Sequence, residues 1–71
     1  MRTWQDNFRT NLRRLRGRTS RFALSELLGL SKNCINKYEK GESVPSVQAL
    51  ITIADHFNVS LDWLIGTSDK V

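Results

Sequence analysis

The placing of serines and glycines is what most restricts the fold of this chain. Ser20, Ser31, Ser46 and Ser60 each stand just ahead of an apolar-periodic segment, where a hydroxyl can accept an orphan backbone N–H of a starting helix. Gly17, Gly29 and Gly41 each follow such a segment, the usual place for a helix-ending glycine. Trp4, Phe8, Leu12 and Leu15 step by four, four and three, an amphipathic stripe. Phe22, Leu24, Leu27 and Leu28 form the second stripe, and the segment opened by Ser31 is the third. Pro45, the only proline, separates it from a fourth through Val47, Leu50, Ile51, Ile53, Ala54 and Phe57. A short fifth, LDWLIG, follows the turn NVS. Strand patterning is nearly absent. Helices joined by links of about two to six residues predict an all-α, compact five-helix bundle, a single domain over residues 1–71.

Charge divides the chain further. The formal net charge is +4, but residues 1–40 carry +7 and residues 41–71 carry −3. Such polarity can steer a polyanion toward one face. No run of about 18 apolar residues exists to span a membrane, and the opening MRTWQDNFRT has no apolar block of a signal peptide. One cysteine allows no internal disulfide and fits a reducing, cytoplasmic setting. Cys34 lies on an apolar side and is expected to be a small buried hydrophobe. With one histidine, His56, and one cysteine, neither a zinc site nor a Cys–His pair can be assembled. No enzyme activity, cofactor, metal or small-molecule ligand is expected.

The segment SKNCINKYEKG, residues 31–41, is richer in asparagine than a helix favours. On a helical wheel Lys32, Asn36, Lys40, Asn33 and Lys37 fill one arc of roughly 140°, with Cys34, Tyr38 and Ile35 opposite. Amides and ammoniums on one face suit a polyanion that also offers hydrogen-bond edges. Ser25 is small where two helices must cross closely, Gly29 follows four later, and the aliphatic Ile35 six after that. This is the spacing of a helix-turn-helix, about residues 21–40.

Residues 27–66, LLGLSKNCINKYEKGESVPSVQALITIADHFNVSLDWLIG, resemble the lambda-repressor/Cro family of helix-turn-helix proteins. The matching positions are Leu28, Gly29, Leu30 and Ser31; Tyr38, Glu39 and Gly41; Pro45 and Ser46; Ile53 and Ala54; Val59 and Ser60; Asp62, Trp63 and Leu64. NLRRLR, residues 11–16, resembles the family's first helix. The resemblance implies a sequence-specific regulator of transcription, Cro-like or repressor-like, that binds a palindromic operator as a homodimer. The rival is an antitoxin-type module that covers a protein partner and also binds its own operator. An RNA binder would need exposed aromatic platforms that are not evident.

Within that reading the start of the third helix reaches base edges in the major groove. Lys32, Asn33 and Lys37 are expected there, lysine donating to guanine and asparagine pairing with adenine. Arg21, Ser31, Asn36, Lys40 and Ser46 are expected to face phosphate, Ser31 also capping the helix. Arg21 stands where the family has glutamine, and a cation at a helix N-terminus costs about 0.3–1 kcal/mol, which a phosphate would offset. By resemblance Glu39 pairs with Arg16. The link after Arg16 is about two residues shorter than the family's, so either the first helix ends early or its turn is tighter. The dimer interface is expected around Asn58–Ile65.

Overall fold

Side-chain oxygens set where most of the helices begin. The computed structural model describes residues 2–69, with helices α1 (Trp4–Arg16), α2 (Arg21–Leu27), α3 (Cys34–Lys40), α4 (Val47–Phe57) and α5 (Leu61–Ile65). Ser20, Ser46 and Ser60 accept the backbone N–H groups of Ala23, Ala49 and Trp63 at 3.0–3.1 Å. Thr3 opens α1 with a reciprocal pair: its hydroxyl accepts the Asp6 amide, and the Asp6 carboxylate accepts the Thr3 amide, each at 3.2 Å. That second bond holds the Asp6 carboxyl below the usual carboxylate range.

The third helix departs from this pattern. Ser31 does not cap it. The helix begins at Cys34, with Asn33 in the N-cap position and no side-chain cap. Lys32 and Asn33 lie in a turn closed by the Cys34 N–H donating to the Ser31 carbonyl at 3.0 Å. The orphan amide is served from outside instead. Ser25, fully buried on α2, accepts the Ile35 N–H at 3.3 Å and donates to the Arg21 carbonyl at 2.9 Å. One hydroxyl thus caps α3 across the turn and fixes the two helices to each other.

Four helices close alike. After α2, the Leu30 N–H reaches back to the Ser25 carbonyl at 2.9 Å and the Gly29 N–H to Glu26 at 3.0 Å, a Schellman closure. Gly29 carries the left-handed φ of +69° that this geometry demands. The same pair of bonds closes α3, α4 and α5, with Asn58 taking the left-handed position after α4. The short link after α1 is a tight turn, for α1 runs fully to Arg16 and Gly17 adopts φ +54°.

Every helix sends a side chain to the centre: Phe8 and Leu12, Leu24, Ile35, Ile53 and Leu64 are each at most 1% exposed. Phe8 meets Tyr38 edge-on, with ring centroids 5.7 Å apart. α1 packs on α3 and α5, α2 on α3, and α4 on α5. Not all the apolar stripe residues go inward. Phe22 and Leu27 on α2, Val47 and Ile51 on α4, and Trp4 face water, because a small body of 29 × 24 × 23 Å has room for only part of each stripe. Cys34 is half-buried at the rim of the core rather than enclosed.

Candidate nucleic-acid interface

α3 is seven residues long, and its two sides differ completely. Ile35, Tyr38 and Glu39 are buried, while Lys37 and Lys40 are exposed and Asn36 is half-buried between them. Ser31, Lys32 and Asn33 continue this polar surface from the turn that precedes the helix, all exposed. The structure therefore brings Lys32, Asn33, Asn36, Lys37 and Lys40 along one segment, two from a turn and three from a helix. Ser46 stands apart at the start of α4, exposed, with its hydroxyl engaged by the Ala49 amide.

The one acid of α3 is turned away from this surface. The Glu39 side chain is 1% exposed and sits among guanidiniums. Arg16 donates to it with two nitrogens, Nε to Oε2 at 2.6 Å and Nη2 to Oε1 at 3.1 Å. Arg21 adds Nε to Oε1 at 3.1 Å, and Arg13 approaches to 3.8 Å. Arg16 also donates to the Thr19 carbonyl at 3.0 Å, so it fastens the short α1–α2 link as well as α3. A carboxylate in this setting balances nearby cations instead of repelling an anionic partner.

Arg21 changes in meaning here. The cation at the start of α2 is already offset by the Glu39 carboxylate, without any external anion. Its side chain remains 46% exposed, and only Nε is used on Glu39. Two features have no counterpart in the sequence reading. Nothing in the spacing marks Arg13 or Arg21 as neighbours of Glu39, since both pairings cross between helices. Ser25 stands out in the sequence for its size alone, not for its hydroxyl. Along α1, a shallow cleft of about 310 Å³ is lined by Arg2, Asp6, Arg9, Thr10, Arg13 and Glu39, with Asp6 paired to Arg9.

A model of the helix-turn-helix family matches residues 11–64. The chain belongs to the lambda-repressor/Cro-like helix-turn-helix family. It is similar to the cryptic phage CTXphi transcriptional repressor RstR of Vibrio cholerae serotype O1, at 37% identity over 43 residues, or 61% of this chain. The chain spans 38% of the length of that curated relative. No solved structure matches it. As a helix-turn-helix protein its two-helix unit is α2 and α3, joined by residues 28–33, and the polar surface of residues 31–40 is formed by the end of that turn and the outer side of the second helix. No described helix is long and apolar enough to cross a membrane.

Proposed function

We propose that this chain is a sequence-specific, double-stranded DNA-binding regulator of transcription that acts as a homodimer on a palindromic operator. The observation that carries the reading is the outer side of residues 31–40. It presents three lysines and two asparagines, and its only acid is buried under arginines. In this reading Lys32, Asn33 and Lys37 donate to base edges in the major groove. Arg21, Ser31, Asn36, Lys40 and Ser46 hold phosphates and set the register. Arg21 suits that task, with Nε anchored on Glu39 and the outer guanidinium edge left toward solvent. The repressor relative supports regulation by repression.

The size of the chain supports a dimer. A body 29 Å in its longest dimension covers no more than one turn of duplex, about 34 Å, so a longer operator takes two copies. Val44, Val47 and Ile51, all exposed on or just before α4, support an interface there. The other stretch expected for the interface, Asn58–Ile65, follows the far end of α4, with Leu61 also exposed and Leu64 buried.

Selection from a randomised duplex pool tests the reading. One symmetric sequence should be enriched. Its affinity should fall with salt at a log–log slope of about −0.9 for each phosphate neutralised. Lys40→Ala should weaken every duplex alike and make the slope shallower by roughly one unit for each phosphate that is no longer neutralised. Asn33→Ala should lose preference at one symmetric pair of positions. A pool that emerges without any enriched sequence, or a flat salt response, overturns it.

A further inference from the structure

Phe22 is the second residue of α2, and 46% of its surface lies in water. A ring that exposed adds little to the core, yet it is not idle. The ammonium of Lys32 stands over its face, Nζ 5.7 Å from the ring centroid, within the roughly 6 Å over which an aromatic face attracts a cation. The two residues come from different elements, Phe22 from the first turn of α2 and Lys32 from the turn ahead of α3.

Both backbones are fixed. Ser20 caps the turn that carries Phe22 through the Ala23 amide at 3.0 Å. Arg21, next to it, is anchored on buried Glu39 at 3.1 Å. Ser25 bonds α2 to the start of α3 through the Ile35 amide, and the Leu30 N–H closes the intervening turn on the Ser25 carbonyl. A lysine on such a turn would otherwise sweep freely through solvent, since its stem has four carbons and its charge is a compact point. The ring biases that sweep toward its own face.

We propose that Phe22 is a positioning residue for Lys32, holding the ammonium by its aromatic face so that it meets one base edge. The chemistry that a held lysine selects is the O6/N7 pair of guanine. This rests on the DNA-binding reading above and adds to it a determinant of sequence preference on α2, outside the segment of residues 31–40 that carries the base-reading side chains.

The test compares sites enriched from a randomised duplex pool by the wild-type chain and by Lys32→Met, Phe22→Leu and Phe22→Trp. Lys32→Met should lose preference at one symmetric pair of guanine positions. Phe22→Leu keeps apolar bulk but removes the aromatic face, and should weaken preference at the same positions by about two- to fivefold, the factor a partly exposed cation–π pair provides. Its thermal melting should match that of the wild type, and Phe22→Trp should restore the preference. Unchanged preference at those positions for Phe22→Leu, or a loss spread evenly over all sequences, overturns the proposal and leaves DNA binding intact. A wild-type pool with no enriched sequence overturns both.

Discussion

A carboxylate 1% exposed and flanked by three guanidiniums cannot be altered without leaving arginines short of a partner. Removing one member of a buried pair costs about 3–5 kcal/mol. Here the arginines are 15%, 46% and 63% exposed, so water relieves part of that penalty. Glu39→Gln should therefore destabilise by about 2–3 kcal/mol in urea titration, whereas exposed Glu42→Gln should change little. The three pairings should not be equal. Double-mutant cycles should rank Arg16 first, above about 0.5 kcal/mol, then Arg21, with Arg13 near zero at 3.8 Å and high exposure. A different order would mean that the carboxylate is held by another arrangement in solution. Tyr38, the neighbour of Glu39 in the chain and buried like it, makes a pH prediction. Burial, and after it the Cys34 side chain, push its hydroxyl up from 10.0 to about 12. The unfolded chain releases this proton first. The contribution to stability is thus whole below pH 10 and declines as pH rises toward 12. Melting curves between pH 9 and 11 should show a steeper fall for the wild type than for Tyr38→Phe.

At the scale of helices, α5 is five residues long and could not persist alone. It is held by α1. Asn7 donates to the Ile65 carbonyl at 3.3 Å, and Asn11, one turn on, to those of Trp63 and Leu64 at 2.9 and 3.2 Å. These bonds satisfy carbonyls that the end of a helix leaves orphaned. Gly66 makes the approach possible: its φ is +86°, and a Cβ there would lie 2.3 Å from Asn7 Nδ2. Gly66→Ala should lose the roughly 1–2 kcal/mol of a left-handed alanine and the Asn7 bond besides. Gly29→Ala has the backbone cost alone, since nothing lies within 4 Å of its Cβ. Urea unfolding should therefore show the larger loss at Gly66, and equal losses would discount the Asn7 bond. This pairing also shows what the sequence could carry. Serine caps, glycine stops and the periods of Phe8, Leu12 and Ile53 are local signals, and three helix starts, at Ser20, Ser46 and Ser60, and three ends, at Gly17, Gly29 and Gly41, can be placed from them. Thr3 with Asp6 has the spacing of a capping box, a local signal that a reading of serines alone passes over. The asparagine tethers, the Ser25 cap and the arginine cluster span 10 to 58 positions, where no local period reports on them. The start of α3 differs from the local reading for that reason, since Ser31 offers a nearby cap and the structure uses a distant one. The outer side of residues 31–40 is legible because lysine and asparagine have no reason to collect on a core-facing arc.

For the molecule as a whole, the polarity of charge and the apolar surface of α4 have separate consequences. In the proposed function the arginines and lysines of residues 1–40 attract phosphate at a distance and set the speed and salt dependence of encounter. They do not decide how many copies bind. In the proposed dimer that falls to Val44, Val47 and Ile51, at 64%, 69% and 40% exposure, the last two a helical turn apart on α4. A standard interface takes about 800 Å² from each partner, roughly a sixth of the 4705 Å² that this chain exposes. Three aliphatic side chains cannot supply that area with strong hydrophobic drive, so the free protein should associate weakly and the operator should complete the pair. A two-fold dimer uses the same patch on both copies, and one charge on it is felt twice. Val47→Lys should not weaken binding to an isolated half-site, because Val47 lies outside the surface of residues 31–40 and a cation beside Ser46, expected to face phosphate, only adds attraction. On the full palindrome the variant should lose cooperativity and bind the halves independently. Titration of half-site and palindromic duplexes, with sedimentation of the free protein, separates the possibilities. Equal loss on both duplexes would place Val47 against the DNA. Unchanged cooperativity would move the interface away from this end of α4, toward Leu61 and the end of the chain.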